Sequence, residues 1–169
     1  MNLLKSFLLL SGSSLLIIAC KTNQPEQKTS TVQLSDNHIL LADSIKYNVV
    51  IRVIDKEDSW EVERLTSFKQ EVFINYIFDQ LYTGKFSAYD YYSHEPFDVR
   101  DIKKIEKEPG FSREKIGQIL FNEQWHIDSL GVFTKKVNSI TLGIEKYSKQ
   151  GTFKGYEALF LVKFTPNAQ

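Results

Sequence analysis

Val132-Phe133-Thr134-Lys135-Lys136-Val137-Asn138-Ser139-Ile140-Thr141-Leu142-Gly143-Ile144-Glu145-Lys146-Tyr147 decides the fold. Apolar and polar residues alternate with period two, the pattern of a strand with two different faces. Val137, Ser139, Thr141 and Gly143 are expected on one face, and Asn138, Ile140, Leu142 and Ile144 on the other. Glu123 to Asp128 alternates before it and Tyr156 to Phe164 after it. Gly131 marks the first connection and Gly151 to Gly155 the second. Three consecutive strands joined by short glycine turns read as an antiparallel meander.

Upstream, Tyr47 to Asp55 is rich in β-branched residues with apolar groups on both faces, and the stretch Ile45 to Asp55 is expected as a central or semi-central strand. From Phe68 to Tyr82, Phe68, Val72, Phe73, Ile74, Tyr76, Ile77, Phe78, Leu81 and Tyr82 cover more than one helical face. Such a helix belongs in a protein interior, and Gly84 is placed to end it in a left-handed cap. Asp58 with Glu61, and Ser67 with Gln70, have capping-box spacing. Phe86 to Tyr89 reads as a short strand, and Asp98 to Glu108 as an exposed short helix stopped by Pro109-Gly110. Ser112, with Phe111 and Ile116 spaced as a hydrophobic staple, predicts another helix from Arg113 to Leu120. The expected fold is α+β: an antiparallel sheet with a C-terminal meander packed against a buried helix and shorter helices.

The N-terminus carries a different message. Lys5 precedes the apolar run Phe7–Ala19, which falls short of the roughly 20 apolar residues that a spanning helix needs. Ile17-Ile18-Ala19-Cys20 then has the form of a bacterial lipoprotein cleavage box, with the chain's single cysteine as the acylated residue. Residues 1–19 are thus expected as a lipoprotein signal peptide, 20–44 as the acylated Cys20 and a flexible tether, and 45–169 as one α+β domain. Lys21 to Ser35 has no aromatic side chain and few apolar ones, too little to offset its ordering entropy. One cysteine excludes an intrachain disulfide framework, so stability must come from a packed core.

Lys and Arg (21) balance Asp and Glu (21), which argues against nucleic acid as a partner. The histidines are His38, His94 and His126, with no Gly-x-Ser-x-Gly elbow, no paired metal-ligand spacing and no glycine-rich phosphate loop. His126 lies between Trp125 and Ile127 in a strand pattern. His94-Glu95 lies in a loop, where sites concentrate. The carboxylate pairs Asp55 with Glu57 and Asp98 with Asp101 have the chemistry for acid/base work on a glycan, but pairs also arise by chance among so many acids. No catalytic residue, metal or cofactor is assigned. Phe86, Tyr89, Tyr91, Tyr92 and Phe97 crowd a loop-like stretch. Aromatic side chains bury large areas at low entropic cost, so Tyr89, Tyr91, Tyr92 and Phe97 are the candidate partner-binding residues. The competing reading folds these rings into the core.

Several segments also resemble the GldN/PorN family: Val49 to Asp55, Ile77 through Gly84-Lys85-Phe86-Ser87-Ala88-Tyr89-Asp90, Glu123-Gln124-Trp125-His126-Ile127-Asp128 on to Gly143-Ile144, and the closing Leu159 to Pro166. They occur in the same order over Ile45 to Pro166. The resemblance implies a periplasmic, non-enzymatic component of the type IX secretion and gliding-motility machinery of Bacteroidetes, one that forms rings with a lipoprotein beneath the outer membrane. Members of that family usually have a cleaved signal without a lipid box and are longer than this chain. The expected protein is therefore a lipid-anchored envelope protein, at the outer membrane facing the periplasm, working as a non-enzymatic interaction or assembly module. Its expected partners are other envelope proteins, a ring-forming lipoprotein or a second copy of itself among them, and the membrane through acyl chains on Cys20. The alternatives are an envelope enzyme acting on glycan or peptide, and a lipoprotein that binds a small ligand.

Overall fold

The computed structural model describes residues 38–164. The leader, Cys20 and the first part of the tether lie outside the described residues, as does Thr165-Pro166. The fold is α+β. Its strands are β1 (His38–Val50), β2 (Ser87–Tyr89), β3 (Pro96–Phe97), β4 (Ile116–Asp128), β5 (Phe133–Tyr147) and β6 (Phe153–Lys163). Its helices are α1 (Ser59–Leu65), α2 (Gln70–Tyr82) and α3 (Val99–Glu106). The strands make one antiparallel sheet in the order β1-β4-β5-β6-β2-β3.

The meander β4-β5-β6 turns twice by the same device. Asp128 and Ser148 each receive two backbone N–H groups on their side-chain oxygen, from Leu130 and Val132 and from Gln150 and Thr152 respectively. Gly131 and Gly151 then supply the left-handed backbone (φ 79° and 81°). Alternation in β5 holds from Ser139 to Ile144 and breaks at Asn138, where a bulge pairs Asn122 with Ser139 but Glu123 with Val137. Val137 therefore joins the core side with Ile140 instead of facing the way of Ser139.

The core lies on one face of the sheet. Ile119, Ile140, Leu142, Phe160 and Val162 meet Ile74, Ile77, Phe78 and Leu81 of α2. Phe78, fully buried, places its ring 5.8 Å from that of Phe160. Arg113 closes this layer from outside. It lies over the Phe78 ring at 4.2 Å and hydrogen-bonds Asn75 (2.9 Å), Tyr82 (3.1 Å) and Glu106 (2.7 Å).

Five further expectations need correction. Residues 38–44, expected as tether, are already strand: His38 stands opposite Asp128. The strand expected to reach Asp55 ends at Val50, because Ile51 makes one further bond to Gly117 and the chain then turns into α1. The helix expected from Arg113 to Leu120 is a single 3₁₀ turn, Arg113–Lys115, and β4 starts at Ile116. Ser112 does cap that turn through Glu114 N–H, but Ile116 and Ile119 enter the sheet core. Ser67 and Gln70 form no capping box. Lys69 is the N-cap, and the Gln70 amide instead donates to the Glu114 and Ile116 carbonyls, tying α2 to the start of β4. The strand expected as central or semi-central is an edge strand: β1 pairs with β4 alone, its outward-facing apolar groups notwithstanding, and has two register shifts, between Leu40 and Ala42 and between Ala42 and Ile45.

Candidate functional site

The core, α2 and the buried Ile102 of α3 occupy one sheet face. On the other, the loop between β2 and β3 overhangs the strands. Asp90 builds this loop: its carboxylate accepts the N–H groups of Tyr92 (2.9 Å) and Ser93 (2.7 Å), and its own N–H reaches the Glu95 carbonyl (2.8 Å). Those N–H groups, that of Ser93 first, hold the Asp90 carboxyl below its ordinary range. His94 takes a left-handed backbone (φ 60°), which closes the turn. Tyr91 and Tyr92 sit at its crest with their rings 5.0 Å apart, edge to face, and Tyr92 is 76% exposed.

Beneath the two tyrosines lie adjoining depressions of about 380 and 250 Å³. Both share Tyr91, Tyr92, Leu120 and Thr141. Asn48 (β1), Gln118 (β4), Thr141 and Gly143 (β5) and Ala158 (β6) line the larger one; Lys46, Asn122, Ser139 and Leu161 border the smaller, with His94 at its rim. The register explains the assembly: Asn48, Leu120, Thr141 and Leu161 form one cross-strand row, continued by Tyr89. Ser139 and Thr141 are only 6% and 5% exposed. Among the described residues, the side chains of Asn48, Gln118, Ser139 and Thr141 make no hydrogen bond. A row of neutral donors and acceptors, under an aromatic overhang, is thus left with its bonding capacity unused.

One end of the larger depression is formed by Tyr156. Among the described residues its hydroxyl is buried without a partner, as is Oε1 of the fully buried Glu145. The other Glu145 oxygen accepts from Arg52 and from the Tyr147 hydroxyl (2.7 Å). Burial, followed by the Glu145 charge, pushes Tyr156 up to about 12.

The aromatic run expected to contact a partner is divided between the two faces. Tyr91 and Tyr92 line the depressions. Tyr89 has the Lys163 ammonium 4.4 Å from its ring centroid. Phe97 turns to the core side, 6.4 Å from the Phe160 ring, and Phe86 does the same beside Phe164. Cys20 lies outside the described residues.

Neither histidine joins a carboxylate pair. His126 stands in β4 between Leu40 and Thr134 with its Nε2 buried and unpartnered, six positions along the strand from Leu120, roughly 20 Å from the depressions. Asp98 and Asp101 are spent on a capping box at the start of α3, and Asp55 accepts the Glu57 N–H. Among the described residues no group of His, Cys, Asp or Glu is arranged to hold a metal.

Asn48, Gln118, Ser139 and Thr141 were not foreseen as site residues. Their only signal was the period-two phase, which puts Ser139 and Thr141 opposite Ile140 and Leu142. No family model matches the chain, and a search of curated proteins gives no significant match.

Proposed function

We propose that this chain is a lipid-anchored envelope protein that works by binding another envelope protein, as a non-enzymatic assembly module. One observation carries the reading: the sheet face opposite the core presents unpartnered Asn48, Gln118, Ser139 and Thr141 beneath the exposed Tyr91-Tyr92 crest. Amides and hydroxyls that both donate and accept suit the backbone and side chains of an extended peptide, and tyrosines supply the anchoring area. Lys46 and His94 are the side chains at the margin that can carry positive charge, and Glu157 carries the negative one, so recognition there rests on shape and hydrogen bonding. The motif order from Val49 to Pro166 supports placing this module with the GldN/PorN type of secretion and gliding proteins, and the Ile17–Cys20 box supports an acyl anchor.

The test is cross-linking in intact envelopes followed by pull-down, with wild type, Tyr91→Ala/Tyr92→Ala and Cys20→Ala side by side. The reading expects a defined secretion or motility protein with the wild type, at least tenfold less with the tyrosine variant, and altered fractionation with Cys20→Ala. Equal recovery by wild type and tyrosine variant would remove the site. Capture of no secretion or motility protein would remove the family assignment.

A further inference from the structure

Among the described residues, β1, β4 and β5 continue past the end of β6 at one end of the sheet. β6 stops at Lys163, opposite Ser139, whereas β1, β4 and β5 run on to His38, Asp128 and Phe133. The six positions from Asn122 to Asp128 carry this arm about 20 Å beyond the end of β6. Its end exposes apolar side chains next to the polar His38, Asp128 and Ser129: Leu130 is 87% exposed and Val132 54%, and Phe133, Ile39 and, further back, Leu41 are exposed too. Ile39, Ile127 and Phe133 lie side by side across the three strands. The connection is stiff, because Asp128 holds both the Leu130 and Val132 N–H groups at 2.8 Å.

Behind the tip the chemistry changes in an ordered way. Trp125 stacks edge to face on Phe133 (5.5 Å) and donates its indole N–H to Glu123. Lys135 stands 5.0 Å from the Trp125 ring and 5.8 Å from Tyr47, whose hydroxyl also bonds Glu123 (2.7 Å). Aliphatic groups at the extremity, then an aromatic and lysine band, then a polar body is the sequence of polarity across a lipid interface.

Chain position names the occupant. β1 begins at His38, directly opposite Asp128, so the polypeptide that leads back to Cys20 joins the domain at this same tip. At no more than about 3.3–3.6 Å per residue, the chain from Cys20 to His38 spans at most roughly 60 Å, whatever its conformation. We infer that the β4–β5 tip, Leu130 to Phe133 with Ile39 and Leu41, inserts into the lipid surface to which Cys20 is tethered, orienting the domain with its arm toward the bilayer. The inference rests on the lipid-anchored reading above. Tethering raises the local lipid concentration, so a patch too small to hold the protein on a membrane alone is sufficient to orient it.

Full-length protein purified from envelopes and reconstituted into phosphatidylcholine/phosphatidylglycerol vesicles tests it. The chain has two tryptophans, Trp60 on α1 and Trp125 in the arm. In Trp60→Phe, brominated acyl chains are expected to quench Trp125 emission at least twofold. In Trp125→Phe, the remaining Trp60 is expected to be unaffected. Leu130→Asp/Val132→Asp, both at exposed positions, should abolish Trp125 quenching while the protein still floats with the vesicles. Flotation without quenching overturns the tip inference and leaves the anchor standing. Quenching that survives the aspartates also overturns it, as does wild-type dimerisation that the aspartates abolish, which would assign the patch to a second copy. Protein that fails to float overturns the anchor and, with it, this inference.

Discussion

A Cβ added to Gly117 would stand 2.8 Å from Cε1 of Tyr156 and 3.0 Å from Oε1 of Glu145. The glycine is therefore required by the neighbouring ring, at a position where β4 has a register irregularity between Ile116 and Gln118. Gly117→Ala should cost about 1–3 kcal/mol in chemical denaturation through overpacking. Tyr156→Ala in the same chain should relieve most of the added methyl's cost, the Glu145 Oε1 contact at 3.0 Å keeping the rest, whereas Tyr156→Phe, which keeps Cε1, should relieve little.

Tyr156 also sets an alkaline limit. Its folded-state value near 12 stands above the unfolded value near 10, so the neutral phenol is the form the fold accepts. The contribution is whole below pH 10 and is lost as pH rises from about 10 to 12. Tyr156→Phe removes a buried hydroxyl that has no partner, so at pH 7 it should leave stability unchanged or raise it by up to about 1 kcal/mol. Urea midpoints at pH 8 and pH 11 should show a smaller drop for the variant than for the wild type. An equal drop would locate the alkaline sensitivity elsewhere.

Arg113 joins α2 and α3 through one planar group, with Glu106 as its ion-pair partner at 2.6 Å. Its loss leaves the mostly buried Glu106 carboxylate without its cation, and Arg113→Ala should cost about 2 kcal/mol. Arg113→Lys should recover little of this, since a single ammonium cannot reach Asn75, Tyr82 and Glu106 in one fork. Thermal or urea melts of the two variants check both halves.

Phe78 is the centre of the ring cluster that links Tyr82, Phe111 and Phe160. Phe78→Ala should destabilise by about 3–5 kcal/mol, and Phe78→Leu by distinctly less. Calorimetry showing similar losses for both would mean that the cluster repacks.

The meander was legible because period-two alternation and glycine turns are local signals, and β5 and β6 were placed within a few residues by them. β4 was misread at its start because Ile116, Ile119 and Leu120 also fit helical spacing. Ser112 adds a genuine cap, which turns out to serve only one 3₁₀ turn. β1 was begun too late because its first residues are largely exposed on an edge and carry polar Asp43 and Ser44. The aromatic loop was recognised, but its division was not: whether Phe97 or Tyr91 faces the core depends on pairing with β2 and on the Asp90 turn. The polar row under the loop was illegible for a stronger reason. Asn48, Gln118 and Thr141 are brought together only by the register of three strands, and no local pattern encodes that.

The two register shifts in β1 bear on how crowded copies of this protein behave. A long flat edge is a template on which identical chains can polymerise. Here the pairing register of that strand is continuous over Ile45–Val50 and again over His38–Leu40, and the irregular stretch from Leu40 to Ile45 interrupts the ladder that an incoming strand would have to copy. Neighbouring molecules thus meet a broken ladder along this thirteen-residue edge, which works against strand-to-strand growth into a fibre.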